Sequence, residues 1–142
     1  MMKFLLGAIF TILFSVSSYS QCKSFTKKHC LPDLKPFVHN GQLTAGTVFA
    51  GEAIDVELSF STGKTYRILV KGSDLLGDIH FQVLDKNKKV LFDNGKKEYK
   101  SYFDFKVENS QQLIIRIESV NYEMVGDILP SGCLSILVGF KE

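Results

Sequence analysis

From Phe37 onward the chain repeats one pattern: short runs with every second residue apolar, separated by clusters of turn-forming residues. In Ala53 to Phe60, the residues Ile54, Val56, Leu58 and Phe60 alternate with Asp55, Glu57 and Ser59, and a strand sorts these onto one apolar and one wet face. Thr65 to Lys71 does the same with Tyr66, Ile68 and Val70, and Ile79 to Leu84 with Ile79, Phe81 and Val83. Tyr102 to Val107 uses Phe103, Phe105 and Val107, and Leu113 to Ser119 uses Leu113, Ile115 and Ile117. Turn signals separate them, among them Ser61-Thr62-Gly63-Lys64, Asp85-Lys86-Asn87-Lys88 and Asp93-Asn94-Gly95. No stretch beyond Phe37 carries an apolar stripe of helical period long enough for a helix. Residues 37–142 are therefore expected to form one all-β domain, an antiparallel β-sandwich of jelly-roll or immunoglobulin-like type. Cys133 to Phe140 (CLSILVGF) is more continuously apolar, as expected of a strand that is central in its sheet or covered on both faces.

The start of the chain reads differently. Met1-Met2-Lys3, an apolar run from Phe4 to Phe14 and the small polar residues Ser15 to Ser20 have the layout of a secretory signal peptide. Eleven helical residues rise only ~16 Å, against a hydrocarbon core of ~30 Å, so no permanent membrane span is expected. Residues 1–20 are read as the leader, and the protein as exported, periplasmic or secreted. Residues 21–36, basic and polar with two prolines, read as a partly helical N-terminal segment that ends in an extended entry.

Export admits disulfides, and the chain holds Cys22, Cys30 and Cys133. If the N-terminal segment is helical, eight residues place Cys22 and Cys30 ~12 Å apart, too far to bridge. The expected pair is Cys30 with Cys133, closing a loop of ~100 residues and contributing up to ~4.7 kcal/mol. A lipid anchor on Cys22 is not expected, because Tyr19-Ser20-Gln21 lacks the Leu and small residues that precede a lipoprotein cysteine.

The succession Ala50-Gly51-Glu52-Ala53, Tyr66 to Val70, Gly77 to Asp85 and Val90-Leu91-Phe92 resembles the rhythm of bacterial pre-peptidase C-terminal domains, over roughly residues 46–120. That resemblance implies a small jelly-roll module of the kind appended to secreted proteins. Together with Cys22, Cys30, Leu34 to Phe37, Asn40-Gly41-Gln42, Pro130 to Cys133 and Val138-Gly139-Phe140, the whole chain resembles small exported bacterial β-sandwich proteins of unassigned function. No peptidase precedes the module here, so it is expected to act alone or for a separate partner.

Catalytic signatures are missing. His29, His39 and His80 are the only histidines, and the sequence has no His-Glu-x-x-His, Gly-x-Ser-x-Gly or phosphate-cradling Gly-rich loop. A triad drawn from His80, Asp78 and a nearby serine keeps a small hydrolase only as a third reading. No metal site and no cofactor are expected: Cys22, His29 and Cys30 lack a fourth ligand, and Asp74, Asp78, Asp85 and Asp93 flank turns, where short carboxylates cap the backbone anyway. Seventeen Lys and Arg against fifteen Asp and Glu leave a formal charge of +2, which implies no nucleic-acid partner.

Two surfaces are candidates for binding. Lys96, Lys97 and Lys100, interleaved with Tyr99 and Tyr102, could form a basic and aromatic surface, although lysines also protect edge strands from aggregation. The long connection from Asn121 to Ser131 carries Tyr122, Met124, Val125, Ile128 and Leu129, an apolar set suited to a protein partner. The expected function is a non-enzymatic interaction module for an envelope or secreted protein. The alternative is a carbohydrate-binding module stacking sugar on Tyr99, Tyr102 and Tyr122, in a chain without tryptophan.

Overall fold

The computed structural model describes residues 22–142, so the leader expected over residues 1–20 lies outside the described residues. Eight strands follow a short helical segment: β1 (Val38–Phe49), β2 (Ala53–Phe60), β3 (Thr65–Gly72), β4 (Asp78–Leu84), β5 (Val90–Asp93), β6 (Tyr102–Lys106), β7 (Gln111–Val120) and β8 (Ser131–Lys141). They form two four-stranded antiparallel sheets of order β1-β8-β3-β6 and β2-β7-β4-β5. The pairings nest: β4 with β5, β3 with β6, β2 with β7 and β1 with β8. One long hairpin folded over itself gives this order, which is that of a jelly roll and not of an immunoglobulin-like sandwich.

The alternation read from the sequence decides which side chains meet between the sheets. Phe60, Tyr66, Ile68, Val70, Phe81, Val83, Leu113, Ile115, Ile117, Leu134, Ile136 and Val138 are buried together. Aromatic rings extend this core toward β5 and β6. Phe92 stacks on Phe103 at 4.4 Å, Phe103 on Phe105 at 5.2 Å, and Phe105 meets Phe60 edge-on at 5.1 Å.

The outer face of the β1-β8-β3-β6 sheet is covered as well. Residues 22–25 are α-helical, Thr26–Cys30 form a π-helical turn, and α1 (Leu31–Leu34) completes the segment. Lys35 leaves the helix with ψ 141° because it precedes Pro36, and a residue before proline is pushed out of the helical region. Cys22, Thr26, Cys30 and Leu34 are buried, one every four residues, while Lys23, Lys27 and Lys28 face water. Four helical residues advance ~6 Å and two strand residues ~6.8 Å, so this stripe steps along alternate residues of β8. Cys22 meets Cys133, Thr26 meets Ser135, Cys30 and Leu34 pack with Leu137 and Leu69, and Leu34 lies over Gly139. A Cβ on Gly139 would stand 2.8 Å from Phe37 and 2.9 Å from Leu34, so only glycine lets the segment lie this close. This second layer explains why β8 is apolar on both faces.

Arg67 fastens the end of the segment. Its guanidinium donates two bonds to Asp104 (2.7 and 2.9 Å) and others to the carbonyls of Asp33 (3.1 Å) and Lys35 (3.4 Å). It sits between the rings of Tyr102 (4.2 Å) and Phe37 (4.7 Å). The carboxylate partner raises the pKa of Arg67 further, against the opposing effect of burial.

The expected Cys30–Cys133 bridge is corrected here. Cys22 pairs with Cys133 across 111 residues, and Cys30 is a buried free thiol. The stated obstacle to a Cys22–Cys30 bridge stands, but the direction of the helix along β8 was needed to tell which cysteine reaches Cys133. The bridge also occupies the sulfur that a lipid on Cys22 would require. Burial pushes the Cys30 thiol up, despite a hydrogen bond with Ser135 and the charge of Lys71.

Candidate functional site

In this winding the connections β1–β2, β3–β4, β5–β6 and β7–β8 emerge at one end of the sandwich. Hydrogen bonds tie them together. The Ala50 N–H donates to the Pro130 carbonyl (2.8 Å), Ser73 exchanges backbone and side-chain bonds with Cys133 (2.9 and 3.0 Å), and the Ser119 hydroxyl donates to the Leu76 carbonyl. Asn121 donates to Asp78 (3.1 Å) and Tyr99 (3.4 Å). Gly77, at φ +72°, lets the backbone of residues 120–122 pass where a side chain would overlap it.

On this braced base the β7–β8 connection folds into a small hairpin. Val125 and Ile128 exchange backbone hydrogen bonds of 3.1 Å in both directions, around a two-residue turn in which Gly126 has φ +65°. Both side chains stand in solvent, Val125 at 58% and Ile128 at 70% exposure, and Met124 and Leu129 are exposed beside them. Tyr122 differs from the other four residues expected here: it is half-buried, packs against the main core and lies over Gly51. Phe49 at the end of β1 and Leu75 in the β3–β4 connection are also exposed at this end. Neither was expected from the sequence, because only the strand order brings their connections to the 121–130 loop.

The β5–β6 connection borders this apolar surface. Asn94, fully buried, accepts from the Phe81 N–H (2.7 Å) and donates to the carbonyls of Ile79 (2.8 Å) and Lys100 (3.0 Å), which fixes the loop carrying Lys96 and Lys97. The five residues expected as one basic and aromatic surface divide between two faces. Tyr99 turns toward the β4 side, edge-on to His80 at 6.4 Å. Tyr102 lies on the opposite sheet, under Lys100 (4.2 Å) and Arg67. Lys86, Lys88 and Lys89 sit in the β4–β5 turn, at the other end of the sandwich. Tyr99, Tyr102 and Tyr122 thus have three separate surroundings and share no platform for a sugar ring.

His80 forms a pair rather than a triad. Its Nε2 lies 2.8 Å from Asp93 Oδ1, and Asp93 also accepts from Gln82 (3.0 Å) and from the Gly95 N–H (2.9 Å). Burial pushes the Asp93 carboxyl up, but the hydrogen bonds from Gln82, His80 and Gly95 outweigh it and hold the group below its ordinary range. The carboxylate ties β4 to β5 and caps the turn that follows. Among the described residues the hydrogen-bond partners of this pair include no serine or cysteine that it could activate.

No family model matches this chain, and no curated protein matches it. Among solved structures it is similar to PliG of Aeromonas hydrophila, a periplasmic lysozyme inhibitor of g-type lysozyme. The identity is 15%, the match covers 75% of this chain and 90% of that one, and the TM-score is 0.47.

Among the described residues no three His, Cys, Asp or Glu side chains come together as a metal site. Three of the four turn aspartates are engaged by hydrogen bonds: Asp85 accepts from the N–H groups of Asn87 and Lys89, Asp93 from that of Gly95, and Asp78 from Asn121. No helix among the described residues is long and apolar enough to cross a membrane.

Proposed function

We propose that this protein is an exported, non-enzymatic interaction module that holds a protein partner at the loop end of the sandwich. The observation that carries this reading is the apolar hairpin: Met124, Val125, Ile128 and Leu129 are exposed on a turn whose base is fixed to three other connections. Exposing apolar side chains on a rigid support costs solubility and brings nothing to the core, so recognition is the physical use for it. Phe49 and Leu75 widen the patch, and Lys96 and Lys97 supply a charged border, the apolar centre and polar rim of a protein interface. A sugar-binding role has less support, because the three tyrosines do not share a face.

The test is a pull-down from envelope and secreted fractions with the wild-type protein and with the double variant Val125→Asp/Ile128→Asp. The expected result is a stoichiometric protein partner that the wild type retains and the variant loses, while both show the same circular dichroism. A g-type lysozyme serves as a defined probe in the same experiment. Equal retention by the variant, or no stoichiometric partner for the wild type, overturns the proposal.

A further inference from the structure

The edge strand β1 is built differently from the other three sheet edges. From Val38 to Phe49 it holds no charged residue and no proline, whereas β2 carries Asp55 and Glu57, β5 ends at Asp93, and β6 carries Asp104 and Lys106. Lysine, proline and charge are the usual protection of an exposed edge. Residues 43–47 are all exposed.

The register shows which backbone groups of β1 point outward. The Ala50 N–H bonds to Pro130, which continues the β1–β8 pairing, so Ala50, Val48, Gly46 and Thr44 face β8. Phe49, Thr47, Ala45 and Leu43 turn their N–H and C=O groups away from it. Phe49 is satisfied locally: its N–H donates to the Glu52 carboxylate (3.1 Å) and its carbonyl accepts from the Glu52 N–H (3.1 Å). At the other end the ladder shifts register between His39 and Leu43, Gly41 takes φ +93°, and the Gln42 N–H bonds to Asn40. The Gln42 side chain then closes the neighbouring edge, donating to the Ser59 carbonyl (2.9 Å) and accepting from its N–H (3.1 Å). Among the described residues, Leu43, Ala45 and Thr47 keep their outward backbone groups without such partners.

We infer that β1 pairs antiparallel with β1 of a second copy, about a two-fold axis at Ala45. In this register each copy's Leu43 faces Thr47 of the other, and the two Ala45 residues exchange their N–H···O=C bonds. The open stretch fits this occupant because it is symmetric about Ala45: the bulge at Gly41 falls opposite the Glu52-capped Phe49, and three open residues face three open residues. Two uncharged edges also meet without burying an unpaired charge, as a closed two-fold contact requires. Cys22, Lys23, Thr26, Leu43, Ala45 and Thr47 line a groove of about 580 Å³ between β1 and the helical segment. This surface shares only Phe49 with the loop end, and the substituted residues of the two tests lie on one surface each, so either proposal can fail alone.

The test uses protein secreted by an expressing host, with its N-terminus verified by mass. Sedimentation velocity and amide hydrogen exchange are followed over a dilution series from ~1 mM to ~1 μM. The expected result is twice the monomer mass at high concentration, with the Leu43, Ala45 and Thr47 amides exchanging at least tenfold more slowly than after dilution. Ala45→Lys places like charges together at the axis and is expected to be monomeric throughout, with unchanged exchange in β3 and β7. Val125→Asp/Ile128→Asp is expected to dimerise like the wild type. A wild type that stays monomeric at every concentration, a dimer in which these three amides remain unprotected, or a co-purified foreign strand on β1 overturns the inference.

Discussion

Thr26 Oγ1 and Ser135 Oγ lie 2.6 Å apart, 109 residues apart in sequence, at the middle of the contact between the helical segment and β8. Thr26 donates its proton to the Cys22 carbonyl (2.9 Å), so Ser135 donates to Thr26. Both residues are buried. Thr26→Val leaves the Ser135 hydroxyl without its acceptor and is expected to cost about 1–3 kcal/mol. The double variant Thr26→Val/Ser135→Ala is expected to lose less than the sum of the single losses, and urea unfolding of all four proteins measures the coupling.

The same contact fixes the cysteine chemistry. Cys22→Ser is expected to destabilise the protein by up to ~4.7 kcal/mol, the chain-entropy limit for a loop of this size. Cys30→Ala leaves the Cys22–Cys133 bridge in place. Mass spectrometry without reduction is expected to find the 22–133 linked peptide in both wild type and Cys30→Ala. A thiol reagent is expected to label Cys30 in urea and not in the native protein, as its burial and raised pKa require.

Gly139→Ala tests the close approach of the two layers. Its Cβ would stand 2.8 Å from Phe37 and 2.9 Å from Leu34, so the segment has to move off β8. Overpacking of this kind is expected to cost about 1–3 kcal/mol. Proteolysis within residues 22–37 is expected to accelerate more than cleavage elsewhere.

Asp93 gives the fold a dependence on acid. Its pKa is lowered in the folded state, so the unfolded chain binds the proton more readily. The stabilisation is fully present above the unfolded value of ~3.9 and is lost as pH falls through the folded value. Asp55, lowered by Arg116 on an exposed face, acts in the same direction and more weakly in salt. Asp93→Asn is expected to flatten the fall in unfolding free energy below pH ~4 relative to the wild type. An unchanged slope at low salt removes Asp93 as its source.

Much of the sandwich was legible because strands sort residues locally. Ala53–Phe60 is a strand over the residues expected, and the alternations of β3, β4, β6 and β7 assigned their inward residues. The apolar run of β8 pointed to a strand either central or covered on both faces, and β8 is both: it lies between β1 and β3 and under the helical segment. β1 gave no comparable signal, since as an exposed edge it buries too little to enforce alternation. The apolar loop was visible in Met124, Val125, Ile128 and Leu129, but Tyr122 belongs partly to the core, and Phe49 and Leu75 joined the patch only through the strand order.

The sequence by itself determined the fold class, because period-two alternation is a property of neighbouring residues. Only the tertiary structure decided that Cys22 and not Cys30 reaches Cys133, that Tyr99 and Tyr102 part to opposite sheets, and that four distant connections share one end. Each of these depends on how a helix lies along a strand or how a hairpin winds over itself. Such relations are set by packing between segments distant in sequence, 111 residues apart for Cys22 and Cys133, and no local pattern encodes them.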